Sequence, residues 1–147
     1  MNTKTNRPNQ DRRQKGQSLV EMGISLSVIL ILLAGMFDLG FALFDYIALR
    51  DAVQEGAMYA SINPTDVAGI LSRIQSSSSA PINLAGDENL EMPEITITGS
   101  ACAGGAVTVS LTYNYRIVMP LLGGILGSQY IPITAVVTDT ILQPSCE

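Results

Sequence analysis

The sequence predicts an α+β fold: a long N-terminal transmembrane and stalk helix, a second short helix, and a small three-stranded antiparallel sheet packed on the long helix. Three observations predict it. Residues 22–37 form an uncharged apolar run, no proline interrupts the chain from there to residue 62, and apolar and polar residues alternate over much of the last third. The predicted parts are a basic cytoplasmic leader over residues 1–16, the helix over 17–62, and an extracytoplasmic α+β domain over 63–147.

The composition argues against an enzyme. The 147 residues include no His and only two Cys, which removes His-dependent acid–base catalysis and any zinc site built from four Cys and His ligands. The net charge is -5, and most acidic residues follow the apolar run, so the exported part has no basic surface for nucleic acid. We therefore expect no enzyme activity, no cofactor or metal, no small-molecule substrate and no nucleic-acid partner.

Basic residues are concentrated ahead of the apolar run. Only three arginines follow it, whereas five basic residues precede it: Lys4, Arg7, Arg12, Arg13 and Lys15. Because positive residues stay on the cytoplasmic side, we expect a single-pass inner-membrane protein with its N-terminus in the cytoplasm and the rest outside. A secretory signal peptide starts similarly, but its apolar core is shorter and ends at a small-residue cleavage site. Residues 1–15 are expected to be disordered.

The predicted helix crosses the membrane and then continues as a stalk. About 20 residues at about 1.5 Å per residue cross about 30 Å of hydrocarbon, so a span starting near Leu19 places Asp38 close to the outer interface. Beyond Asp38 one apolar stripe is the predicted docking face for the domain: Leu39, Ala42, Leu43, Tyr46, Leu49, Val53, Ala57 and Ala60. Off this stripe, Phe37, Phe41 and Phe44 form a second apolar face toward lipid or toward another subunit.

A second helix is predicted over residues 64–75, with Asn63 as its N-cap and Pro64 at its first position. It is short and needs a buried apolar face, which is formed by Val67, Ile70, Leu71 and Ile74. Residues 76–93 are rich in Ser, Pro, Gly and acidic residues without periodicity, and we expect a mobile loop there.

Three strands are predicted, over residues 94–98, 107–117 and 131–142. The middle strand alternates throughout and places on one face Val107, Val109, Leu111, Tyr113, Tyr115 and Ile117. An apolar, Gly-rich insertion separates the last two strands. If these strands pair as neighbours with Ile117 opposite Ile131, the register of the whole ladder is fixed.

The two cysteines are far apart in sequence but close in this predicted topology. Continued past the end of the ladder, the same register sets Cys102 opposite Cys146. An exported domain meets an oxidising compartment, so we predict a disulfide between Cys102 and Cys146 that ties the C-terminal tail to the first hairpin. Two unrelated free thiols are the alternative.

The most informative motif runs from Lys15 to Glu21. A basic segment ends in Gly16, and an apolar helix follows whose fifth residue, counted from Gln17, is Glu21. A carboxylate forced to the bilayer centre costs roughly 2 to 3 kcal/mol, and less near the interface. Taken alone, Glu21 is better explained as an interfacial residue that reaches for water.

These residues resemble the type IV prepilin signature, and a longer set of segments resembles the TadE-like family of minor pilin-like proteins of the tight-adherence (Tad or Flp) pilus system. The segments are Gly16-Gln-Ser-Leu-Val-Glu, Phe37-Asp-Leu-Gly, the helix from Ala48 through Glu55-Gly-Ala to Ala60, and the late strand from Val107 onward to Pro120-Leu-Leu-Gly. The resemblance covers most of the chain from Gly16, except the Ser-rich loop.

The resemblance implies a structural and assembly role in a Tad-type pilus or secretion filament. It implies that a prepilin peptidase recognises Lys15 and Gly16, cleaves after Gly16, and frees Gln17 as the new N-terminus. Other pilins or pseudopilins of the Tad system are the implied partners. Glu21 then pairs with the terminal amine of a neighbouring subunit, which gives register because either charge alone is expensive in lipid. Asp38 matches an acidic position of the family and is a candidate assembly residue, with a plain interfacial carboxylate as the alternative.

Two other function classes compete with this interpretation. A permanently membrane-anchored extracytoplasmic binding module keeps its N-terminus and recruits an envelope partner through a sheet edge or the apolar residues 121–126. An enzyme needs acid–base groups such as a carboxylate pair, but the available acidic cluster is better explained as a solvated loop. That cluster consists of Asp87, Glu88, Glu91 and Glu94. Gln54 and Met58 stand where the family often has Arg, so a basic contact from that helix face is in doubt.

Overall fold

The computed structural model describes residues 10–77 and 82–145. Within these ranges the α+β class is confirmed by a long apolar helix, shorter helices and a three-stranded antiparallel sheet. In chain order the elements are α1 (Gln10–Ile62), α2 (Val67–Ser77), β1 (Glu94–Thr98), β2 (Ala106–Arg116), α3 (Pro120–Leu126) and β3 (Tyr130–Thr140). The chain divides after Phe37 into two compact units.

Residues 22–37 of α1 are uncharged, and nearly all of them are exposed, as expected of a helix that faces lipid. Among the described residues, α1 is the one helix long and apolar enough to cross a membrane, which indicates a single-pass membrane protein. The prediction of disorder is wrong for residues 10–15, because α1 begins at Gln10. Arg, Gln and Lys in that stretch favour a helix, and no Pro or Gly interrupts it. Residues 1–9 of the leader lie outside the described residues.

The second unit is built on the C-terminal half of α1. The C-terminal part of the predicted docking face is confirmed, since Leu49, Val53, Ala57 and Ala60 are buried. The N-terminal part is wrong, because the side chains of Leu39, Leu43 and Tyr46 are exposed. Toward the N-terminus of α1, the buried stripe instead continues through the half-buried Asp45 and Ala42 to the buried Asp38.

The three strands are antiparallel in the order β1-β2-β3. The predicted inner face of β2 is confirmed, with Val107, Val109, Leu111 and Tyr115 buried against α1 and α2 residues of the core. The predicted β2–β3 register is wrong by two residues, because Tyr115 pairs with Ile131. The ladder continues tightly to the insertion, where the Ile117 N–H donates to the Gln129 carbonyl at 2.8 Å. A shift of two residues keeps every side chain on its predicted face.

The insertion between β2 and β3 is a short helix, α3, where the sequence predicts only an apolar Gly-rich segment. Pro120 stands at its start, where a missing N–H costs nothing. Gly127 ends it with a φ of 72°, a left-handed conformation that favours glycine.

The start of α2 differs from the prediction. Asp66, not Asn63, is the N-cap: its Oδ1 accepts the Gly69 N–H at 3.0 Å, and α2 begins at the next residue, Val67. Asn63 instead opens a turn in which its carbonyl accepts the Asp66 N–H at 3.2 Å. Ile70 and Leu71 lie on the predicted inner face with Ile74, whereas Val67 is exposed.

The segment expected to be a mobile loop contributes to the core. Ile82 and Leu84 are buried within the main apolar cluster. The Glu91 N–H donates to the Thr112 carbonyl at 2.9 Å, which fixes the end of the segment on β2. Residues 78–81 lie outside the described residues.

Candidate processing and assembly site

Gly16 lies within α1 rather than at its start. A Cβ built on Gly16 meets no atom of the described residues within 4 Å, so packing in that part of the chain does not require glycine there. Glycine in a helix interior costs about 1 kcal/mol relative to alanine, so its presence calls for another explanation. A glycine lets another protein approach the backbone closely, as a peptidase must. The side chain of Lys15 lies outside the described part of the structure.

Gln17 and Glu21 are neighbours one helical turn apart. The Gln17 Nε2 donates to the Glu21 Oε1 at 3.1 Å, and both side chains are exposed. The carboxylate of Glu21 is therefore accessible to a partner, and its contact within the chain is with a neutral amide. A cationic group from another subunit can replace that contact with a stronger, charge-assisted hydrogen bond.

Asp38 is in a different environment, because its side chain is only 6% exposed. Its Oδ1 accepts the Val118 N–H at 3.1 Å and the Tyr115 hydroxyl at 3.4 Å, and its Oδ2 accepts the Met119 N–H at 3.0 Å. Tyr115 lies near the end of β2, and Val118 and Met119 lie between β2 and α3. We call this arrangement the Asp38 clamp, since one helix carboxylate holds the β2–α3 junction against α1.

Tyr115 is held in the form that can donate to Asp38. Burial, followed by the negative charge of Asp38, raises the pKa of Tyr115 to about 12. The phenol therefore keeps its proton throughout the physiological pH range. Alternation along β2 places Tyr115 on the inner face of the sheet, from which its hydroxyl reaches α1.

α1 and α2 meet at Gly56, where the two helices are in close contact. A Cβ on Gly56 would lie 2.6 Å from Cγ1 of the buried Ile74, so no larger residue fits without movement. Next to this contact, the Tyr59 hydroxyl donates to Asp66 Oδ2 at 2.8 Å. The Gly69 N–H and then the Tyr59 hydroxyl lower the pKa of Asp66.

The acidic cluster is used to hold the loop in place. Asp87 Oδ1 accepts the Asn89 N–H at 3.0 Å, and Glu91 Oε1 accepts the Asn114 Nδ2 at 3.2 Å. Within residues 10–77 and 82–145, no group of three or more His, Cys, Asp or Glu residues is arranged to hold a metal ion.

Cys102 lies in the β1–β2 loop, beside the C-terminal tail. The Ala103 N–H donates to the Pro144 carbonyl at 2.8 Å, and the Gly104 N–H donates to the Ile141 carbonyl at 3.0 Å. The corrected register sets Cys102 opposite Pro144 rather than Cys146. Cys146 lies outside the described residues, so the disulfide between Cys102 and Cys146 stays a prediction.

The Asp38 clamp is the feature that sequence reasoning missed. Two of its donors are backbone N–H groups, which leave no trace in a residue pattern. A signal for Asp38 itself was present, because steps of four, three and four residues lead back from the buried Leu49 through Asp45 and Ala42 to Asp38. If the residues of this helix face are chosen by their spacing of three or four positions, and not by being apolar, they include Asp38.

Comparison with known proteins gives a family match. Residues 16–58 match the sequence model of the family described as TadE-like protein. No curated protein and no solved structure matches the chain. The resemblance to the TadE-like family is therefore confirmed over a segment that contains Gly16, Gln17, Glu21 and Asp38, whereas the suggested likeness of the strands stays a prediction.

Proposed function

We propose that this chain is a Tad pilus-related component and, more specifically, a minor pilin, or pseudopilin, processed by a prepilin peptidase after Gly16; the TadE-like segment over residues 16–58 supports the proposal. The observation that carries the proposal is Gly16 itself. It stands between a basic segment and an apolar run, and no packing among the described residues accounts for it. Its accessible backbone is what a peptidase active site requires.

Cleavage after Gly16 leaves the new amine of Gln17 one helical turn from Glu21. In a bundle of such helices, the amine of one subunit pairs with Glu21 of the next, because each charge is costly in an apolar environment unless it is paired. The exposed apolar side chains of α1 then exchange lipid contacts for contacts with other pilins of the Tad system. On this proposal the protein begins in the inner membrane with its N-terminus in the cytoplasm and moves into a filament.

The test compares Gly16→Val with Gly23→Val in cells that contain a prepilin peptidase. Gly23 is a matched control, since a Cβ there also meets nothing within 4 Å and the residue lies in the same helix. N-terminal sequencing of the membrane-extracted protein should find Gln17 first in the wild type and in Gly23→Val. Gly16→Val should retain residues 1–16.

A second arm of the test separates processing from assembly. Glu21→Gln should be cleaved normally but should be absent from sheared filaments, whereas Asp51→Asn, an exposed change on the stalk, should be incorporated. A retained N-terminus in the wild type contradicts the pseudopilin proposal and supports a permanently anchored binding module instead.

A further inference from the structure

The uncharged run is short for a membrane span. Residues 22–37 are 16 residues long and rise about 24 Å, whereas the hydrocarbon core is about 30 Å thick. On its N-terminal side, the run is limited by the polar residues Glu21 and Gln17. Toward the C-terminus, the next residue is Asp38, whose charge would normally end the span.

The Asp38 clamp removes that obstacle, because the carboxylate is buried beneath the β2–α3 junction instead of facing outward. The next charged residue of α1 is Asp45, and it is half-buried. Between them the exposed side chains are Leu39, Phe41, Leu43 and Phe44. The outward-facing surface of α1 is therefore apolar from residue 22 to residue 44, a rise of about 34 Å.

The β2–α3 junction carries a second set of exposed apolar side chains. Val118 and Ile125 are each 75% exposed, and Leu126, Tyr130 and Ile131 are exposed as well. No charged residue occurs between Arg116 and Asp139. Ser128 and Gln129 are exposed among them, but a patch with this many large exposed apolar side chains is uncommon on a surface that faces water. The hydrogen bonds from the Val118 and Met119 N–H groups to Asp38 fix this patch to the helix.

We propose that the β2–α3 corner, residues 118–131, inserts into the interfacial region of the lipid bilayer on the exported side. The occupant of the patch is lipid because the corner is fixed to Asp38, which directly follows the apolar run in the same continuous helix. Tyr46 and Tyr130 are exposed, and tyrosine favours the boundary between headgroups and acyl chains. The Asp38 clamp thus lengthens the membrane-embedded surface while it docks the domain.

The chain contains no tryptophan, so a single introduced one reports its own surroundings. Full-length Ile125→Trp is reconstituted into phosphatidylcholine and phosphatidylglycerol vesicles, with or without bromine on the upper acyl chains. Val136→Trp is the control, because Val136 is 59% exposed on the outer face of β3, about 20 Å along the strand from Tyr130. Both positions are exposed, so neither change disturbs the core.

The indole of the Ile125→Trp variant should lie within about 10 Å of the bromine atoms and lose more than half of its emission in brominated vesicles, with a blue-shifted maximum. The emission of the Val136→Trp variant should be unaffected. Equal quenching in both variants, or none in Ile125→Trp, overturns the proposal. A blue shift in Ile125→Trp that grows with the protein-to-lipid ratio and is insensitive to bromine overturns it in favour of contact with a second copy. The result does not depend on cleavage after Gly16, so the two proposals fail separately.

Discussion

The two halves of α1 use the same residue types for opposite purposes. Before Asp38, the helix carries an exposed carboxylate at Glu21 and a glycine at Gly23 around which a side chain has room. From Asp38 onward, it carries a buried carboxylate and, at Gly56, a glycine pressed against another helix. In the first half, the carboxylate and the open space at the glycine are accessible to other molecules. In the second half, the carboxylate and the glycine both make contacts within their own domain.

The comparison also separates the two acidic residues that the sequence presents as alike. Both interrupt an apolar stretch, and both are matched by the TadE-like segment. Within the described part of the chain Glu21 accepts a hydrogen bond from a neutral amide one turn away, whereas Asp38 accepts hydrogen bonds from residues 77 to 81 positions later in the chain. Residue type alone therefore does not distinguish a group available for assembly from a group already satisfied.

The largest expected effect comes from changing these two carboxylates in parallel. Asp38→Asn places an amide NH₂ opposite a backbone N–H, so one partly buried donor loses its acceptor. We expect the free energy of unfolding of the C-terminal α+β domain to fall by about 2 to 3 kcal/mol. Glu21→Gln should leave it unchanged. Urea unfolding of the detergent-solubilised protein, followed by circular dichroism, measures both. If both variants lost the same free energy of unfolding, the two carboxylates would not differ in their contribution to stability.

A smaller effect is expected at the glycines. Gly56→Ala forces a methyl group against Ile74, and overpacking of a buried contact destabilises by about 1 to 2 kcal/mol. Gly23→Ala meets open space and should be neutral or slightly stabilising, since alanine is the better helix former. The same unfolding experiment tests the pair. Stability retained in Gly56→Ala would mean that Ile74 can move away and that the α1–α2 contact is looser than the structure indicates.

Most of this fold could be predicted because its signals are local. The apolar run, the proline after the long helix and the alternation in β2 each act within one element, and those predictions are confirmed. The errors lie where a contact between elements decides the outcome. The β2–β3 register depends on α3, which begins in a Pro-Leu-Leu-Gly-Gly stretch with no strong helical pattern. The burial of Ile82 and Leu84 depends on space left beside the core, which composition cannot reveal.

The residues of the candidate site also differ in whether a local sequence pattern reveals them. Gly16, Gln17 and Glu21 could be proposed from sequence because they form a linear motif, and their roles in processing and assembly stay a prediction. The Asp38 clamp could not, since it needs the strand, the turn after it and the helix to be in place together. A linear motif is thus easier to propose from sequence than a contact that needs three elements in place.

The smallest effect concerns the weakest bond of the clamp, between Tyr115 and Asp38 at 3.4 Å. Tyr115→Phe removes it and should cost about 1 kcal/mol at neutral pH. Because the folded-state pKa is raised from 10.0 to about 12, protonated Tyr115 favours the folded state below pH 10, and that contribution is lost as the pH rises toward 12. The variant should therefore lose less stability than the wild type between pH 10 and 12.

Tyr130→Phe, an exposed change in β3, is the matched control and should follow the wild type. Identical alkaline profiles for Tyr115→Phe and the wild type would show that the hydroxyl contributes nothing to the clamp, which would then depend on the two backbone N–H groups alone.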